Sequence, residues 1–156
     1  MIIENHFGNI KLLEEYKTAF ICSRRIPAGV VLKSYDWAIA MREKGNCVIS
    51  GFHSAIEKDV FYFLMKGKQP VILVLARGMI KEIPPKIRKA IDEDRLLILS
   101  IFSDEIVRVT KETALIRNRF MLDIAEEIFI PSLASGGTLE KLVRQIHGKK
   151  ITIGFE

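Results

Sequence analysis

The chain has 156 residues, 49% apolar and 28% charged, with a net charge of +5. That length suits one domain with its own core, and charges spread along the sequence argue against a disordered chain. No apolar run approaches the roughly 20 residues that span a bilayer. The N-terminal MIIENHFGNIKLLEEYK places acids where a signal peptide carries basic residues, so a cytoplasmic protein with no membrane segment is expected.

In chain order, residues 1–16 read as an N-terminal extension with a short helix over 9–16. A first strand follows at 18–22 (TAFIC), then a helix over 32–44 with Trp37, Ala38 and Met41 on its apolar side. A second strand at 47–50 (CVIS) leads to a helix over 54–66 carrying Ile56, Val60, Phe63 and Leu64 at helical intervals. A third strand at 71–75 (VILVL) precedes a short helix over 86–92, which starts after Pro84-Pro85 as helices often do. The fourth strand is 96–100 (LLILS), the next helix 112–126, and the fifth strand 127–130 (EIFI). A helix over 138–147, with Gly148 as candidate C-cap, leads to a last strand at 151–155 (ITIGF).

Strands that are apolar throughout, alternating with amphipathic helices, predict an α/β fold. The expected architecture is a Rossmann-like three-layer sandwich with a mostly parallel central sheet of about six strands. The first two strands are expected side by side near its centre, and 1–156 forms a single domain.

Ligands of open α/β sheets bind beyond the carboxyl ends of the strands. The segments there are Ser23-Arg24-Arg25-Ile26-Pro27, Ser50-Gly51-Phe52-His53-Ser54, Ala76-Arg77-Gly78 and Ser132-Leu133-Ala134-Ser135-Gly136-Gly137-Thr138. Small and hydroxyl residues at helix starts let backbone N–H groups approach an anion, although the same residues also serve as ordinary turns and caps. The strongest case is Ser135-Gly136-Gly137-Thr138, with Glu140 in the first helical turn.

Arg117-Asn118-Arg119 sits on the helix before the fifth strand. Its two arginines project about 200° apart by the helical period. One can face a pocket, where a guanidinium suits bidentate phosphate contact, while the other meets solvent. The pI near 9.3 agrees with an anionic partner. Cys22 and Cys47 read as small buried hydrophobes, His6, His53 and His147 form no metal or triad pattern, and Tyr35 and Trp37 read as packing residues. With neither a Walker lysine motif nor GxGxxG, no metal or cofactor is expected.

Read in order, these loops resemble the Rossmann-like core of the DNA-processing protein A (DprA/Smf) family. That family lies within a wider group that includes the LOG phosphoribohydrolases. FICSRRIPAG is similar to the family's Gly-Ser-Arg loop, with Ser23 and Arg24 matched. VISGFHSAIEKDVFYFLMKGKQPVILVLARG is similar to its Ser-Gly loop, helix, strand and Gly turn, with Ser50, Gly51 and Gly78 matched. IRNRFMLDIAEEIFIP resembles the Arg-Asn-Arg segment, and SGGTLEKL the last Ser-Gly loop. Cys22 stands where the family has glycine, His53 to Ala55 replace a basic residue and a glycine, and Glu57 holds the place of the family's acid.

The resemblance implies that single-stranded DNA or a nucleotide phosphate binds at the carboxyl edge of the sheet. The implied ligand residues are Ser23, Arg24, Ser50, Gly51, Gly78, Arg117, Asn118, Arg119, Ser135, Gly136, Gly137 and Thr138. Two alternatives stand beside it. One is a nucleotide-signal sensor without turnover. The other is a LOG-like nucleoside-monophosphate phosphoribohydrolase, in which Glu140 would be catalytic and Arg117 or Arg119 its partner. A homodimer is compatible with folds of this kind.

Overall fold

Short buried strands bounded by turns form the centre of the molecule. In the computed structural model, which describes residues 2–155, these are β2 (Lys17–Phe20), β3 (Cys47–Ser50), β4 (Val71–Val74) and β6 (Glu127–Ile130), with the five-residue β5 (Leu96–Ser100) beside them. Two edge strands, β1 (Asn5–Gly8) and β7 (Lys150–Ile153), complete a seven-stranded sheet in the order β1-β5-β4-β3-β2-β6-β7. All neighbours are parallel except β1 and β5.

The sheet bears out the expected mostly parallel Rossmann-like architecture, and β2 and β3 are adjacent near its centre. It has one strand more than expected. The expected helix over 9–16 is instead a 3-10 turn, Ile10–Glu14, whose Asn9 side chain accepts from Lys11 N–H.

Five helices cover the sheet: α1 (Ala28–Lys44), α2 (Ala55–Met65), α3 (Pro85–Asp92), α4 (Lys111–Ile124) and α5 (Thr138–Val143). Side chains along a strand alternate between faces, and the core divides accordingly. Ala19, Ile21, Ile49, Ile72, Val74, Leu97, Leu99, Ile128 and Ile130 pack with residues of α4 and α5. Phe20, Cys22, Val48, Val71, Leu96, Ile98 and Phe129 pack with residues of α1, α2 and α3.

On that second face Trp37 stacks on Phe129 at 4.7 Å between ring centres and lies 5.1 Å from Phe20. Tyr35 packs against Phe63 and donates to Asp59 at 2.6 Å. Both aromatic residues are therefore packing elements of the α1 layer.

Two helix boundaries differ from expectation for local reasons. α1 begins four residues before the expected start, directly after Pro27; Ala28 and Gly29 are exposed and carry no apolar signal, while Val31 packs against the core. α5 stops at Val143, and the chain tightens into i→i−3 bonds from Gln145 to Leu142 and from Ile146 to Val143. Gly148 has the left-handed φ of +74° expected of a cap, but it lies beyond the helix end.

Two lysines, Lys17 buried and Lys149 half-buried, hold the amino edge of the sheet. Lys17, at the start of β2, donates through Nζ to the carbonyls of Leu13 and Glu15 and pairs with Glu126 at 2.9 Å. Lys149 donates to the carbonyls of Leu122, Asp123 and Ala125, closing the last turn of α4. Replacing Lys17 with Met leaves the carbonyls of Leu13 and Glu15 without this donor and removes the cation paired with Glu126, which keeps only the backbone N–H of residue 17. The expected cost is about 1–3 kcal/mol, read as a lower urea midpoint at unchanged slope.

Candidate functional site

Strand order fixes where the loops part. From β2 the chain moves through α1 to β3 and on to β5, then returns through α4 to β6 on the other side of β2. The loops after β2 and β6 therefore diverge at a topological switch point, where open α/β sheets form their ligand crevice. A cavity of about 410 Å³ lies there, within the range typical of small-molecule sites. The β2 loop contributes Ser23 and Arg24 to it, the β3 loop His53 and Ser54, and the loop and helix after β6 contribute Gly137 and Thr138.

The two diverging loops are tied together. Ser23 N–H donates to Ser132 O at 3.1 Å, and Ser23 Oγ accepts from Ala134 N–H at 2.8 Å.

α4 forms the cavity wall with Lys111, Ala114, Leu115, Arg117 and Asn118. Its N-terminus is fixed by a reciprocal capping box between Thr110 and Thr113. Arg117 is 4% exposed. Its Nη1 donates to Val74 O at the end of β4 at 3.0 Å, and its Nε donates to Asn118 Oδ1 at 2.7 Å. No hydrogen bond among the described residues uses Nη2, and no ion pair among them includes Arg117. Burial pulls its pKa below the usual range, and the charge of Glu57 opposes that shift. An arginine nonetheless stays protonated, so the cavity wall holds a positive charge with no paired carboxylate.

Gly51 makes this arrangement possible. A Cβ there would sit 2.1 Å from Arg117 Nη1 and 2.3 Å from its Cζ, so the guanidinium occupies the space that a side chain at residue 51 would fill. The next residue, Phe52, is buried with a left-handed φ of +45°, a conformation costly for a non-glycine residue and common at functional loops. Its N–H donates to Ser50 Oγ at 3.2 Å. Glu57 accepts from the N–H groups of His53 and Ser54, within the capping box that starts α2. The family acid's position is thus occupied by a carboxylate that shapes the loop.

The structure brings Ser23, Arg24, Arg117, Asn118, Gly137 and Thr138 to one cavity, with Gly51 directly beneath Arg117. It does not bring the other candidates into the lining. Ser50 is fully buried behind its loop. Gly78 meets a different segment: its N–H donates to Ile106 O at 2.7 Å, and a Cβ would lie 2.5 Å from Ser103 O. Arg119 is exposed, as are Ser135 and Gly136 in the turn before α5. Glu140 accepts from Gly136 N–H at 3.0 Å and lies 3.6 Å from Arg144, so its carboxylate closes that turn.

Lys111, Ala114 and Leu115 were not singled out from the sequence. Their spacing to Asn118 is that of one helical face, the signal that could have found them.

Cys22 also lines the cavity, and burial pushes its thiol up to about 11; burial likewise raises Cys47 to about 12. Both thiols stay protonated in the folded chain where an unfolded chain would ionise. Their contribution to stability is therefore complete below about pH 9 and is lost as pH rises toward 11–12. Alkylation of the native protein by iodoacetamide at pH 8 should be slow at both positions and become fast only on unfolding.

Comparison with known proteins agrees with this fold. The family model described as DNA recombination-mediator protein A matches residues 5–149. Among solved structures, DNA-processing protein A from Helicobacter pylori, described for its single-stranded DNA binding mode, superposes with a TM-score of 0.74 at 21% identity. That match covers 95% of this chain and 69% of the other. DprA from Streptococcus pneumoniae gives a TM-score of 0.72 at 19% identity, covering 95% of this chain and 53% of the other. A molybdenum cofactor binding protein from Rippkaea orientalis shares the fold at 10% identity, with a TM-score of 0.59, over 89% of this chain and 76% of its own. A search of curated proteins gives no match. With the family model spanning nearly all of its length, the chain belongs to the DNA recombination-mediator protein A family.

Proposed function

We propose that the switch-point cavity binds the phosphate backbone of single-stranded DNA, with Arg117 as its central anion contact. The observation that carries this reading is the guanidinium of Arg117: buried, fixed through two of its nitrogens, unpaired with any carboxylate, and part of the cavity wall. Arg24 and Lys111 add two further cations, and among the described residues the one acid in the lining, Glu57, is already bound to backbone N–H groups. Ser23, Asn118 and Thr138 supply polar groups around them. Family membership supports the nucleic-acid ligand, since relatives of this fold include a DprA described for binding single-stranded DNA.

Fluorescence anisotropy with a labelled oligothymidine tests it. Three lining cations predict a log–log salt slope of about −2, so affinity should fall about 20-fold between about 50 and 200 mM salt. Absence of binding at low salt and micromolar protein would remove the reading.

The volume of the cavity favours a second reading, a free nucleotide held without turnover. A nucleoside monophosphate would then displace the oligonucleotide at comparable concentration. A hydrolase reading has less support, because Glu140 lies outside the lining and is held by Gly136 and Arg144.

A further inference from the structure

A second cavity, of about 690 Å³, opens at the amino edge of the sheet, between the C-terminal end of α2 and the helix α3. Lys66, Lys68, Lys86, Lys89 and Arg95 line it against a single carboxylate, Glu93. These are five cations in a chain whose whole net charge is +5. None of the five takes part in an ion pair among the described residues. Arg95 is buried, and its guanidinium is fixed by the carbonyls of Leu64, Met65 and Gln69, so its charge is held in place without a counter-ion. Tyr62 stands beside them, 54% exposed, with the Lys66 ammonium 4.4 Å from its ring centre. Unpaired cations next to an exposed aromatic face are the combination that holds single-stranded nucleic acid: cations track the backbone, and the ring offers a base a stacking surface.

The two cavities are joined by one element. Ser54 and Glu57, at the start of α2, line the first, and Tyr62, Met65 and Lys66, at its end, line the second. The helix has 11 residues, a length of about 16 Å, which a few nucleotides can bridge.

We propose that the amino-edge cavity is a second backbone site, which takes the strand after it leaves the switch-point cavity and runs along α2. The inference rests on the reading of the first cavity as a single-strand site. The partner is one continuous single strand, and the second site adds affinity only for strands long enough to reach both.

The test compares an oligothymidine of about 3 nucleotides, too short to cross α2 and occupy both cavities, with one of about 30 that fills both. The protein variants are wild type, Lys86→Glu/Lys89→Glu, Arg117→Met and a charge-matched control, Lys33→Glu/Lys150→Glu. All four altered lysines are exposed. The expected result for Lys86→Glu/Lys89→Glu is unchanged binding of the short strand, at least tenfold weaker binding of the long one, and a salt slope shallower by about 1.4. The control should keep its long-strand affinity within about twofold.

If Lys86→Glu/Lys89→Glu binds the long strand like wild type, or the control loses as much, the second site is overturned while the first stands. If Arg117→Met binds the short strand like wild type, the reading of the first cavity fails, and the path along α2 fails with it.

Discussion

Arg117→Met should lose single-strand affinity by about 10- to 150-fold, the equivalent of charge-assisted hydrogen bonds worth about 1.5–3 kcal/mol, while the fold keeps its stability. The two effects part because the guanidinium is 4% exposed and has no ion-pair partner among the described residues. Methionine matches its aliphatic length, removes the desolvated charge, and gives up only the bonds to Val74 O and Asn118 Oδ1. Relief of the desolvated charge, which has no counter-ion to leave behind, offsets the cost of the two acceptors that lose a donor, so the net change in stability is small. A structural arginine would behave in the opposite way, with the urea midpoint falling and binding falling only in proportion to the unfolded fraction. Anisotropy and urea denaturation on the same preparation separate the two cases.

Gly51→Ala tests the same geometry from the other side. A methyl group there would overlap Arg117 Nη1 at 2.1 Å and Cζ at 2.3 Å, so the guanidinium has to swing away and give up its bonds to Val74 O and Asn118 Oδ1. The expected cost is about 1–3 kcal/mol of stability, with affinity falling about as far as in Arg117→Met, since the guanidinium must leave its place over the β3 loop. The two positions should be coupled. In an Arg117→Ala background the clash vanishes, so Gly51→Ala should cost far less there, giving an interaction energy of about 1 kcal/mol or more. A Gly51→Ala cost that is the same in both backgrounds would mean that the glycine serves the turn itself and not the arginine.

The parallel core was legible because β2 to β6 are short apolar runs separated by helices with clear apolar faces, and both-sided burial leaves that pattern in the residues themselves. β1 was not, because Asn5-His6-Phe7-Gly8 has one large apolar residue and no alternation. It is a strand only through its antiparallel pairing with β5, a long-range contact without a local signature.

The site was legible in part for the same reason. Loops placed at strand ends by the α/β pattern do converge on one cavity, and the helical period correctly separates Arg117 from Arg119 without saying which faces inward. What the residues could not reveal is the use of each small residue. Gly51 makes space for a side chain 66 positions away and Gly78 for the segment after β5, while the Glu140 carboxylate closes its own turn. These are facts of three-dimensional approach. Phe52 is the clearest case, since nothing in an aromatic residue announces a left-handed backbone.

The most direct test is a crystal structure with a bound oligothymidine. The expected result is a phosphate oxygen about 2.7–2.9 Å from Arg117 Nη2, within the cavity bounded by Ser23, Arg24 and Thr138. An ordered oligonucleotide lying elsewhere on the molecule, with only water against Arg117, would contradict it.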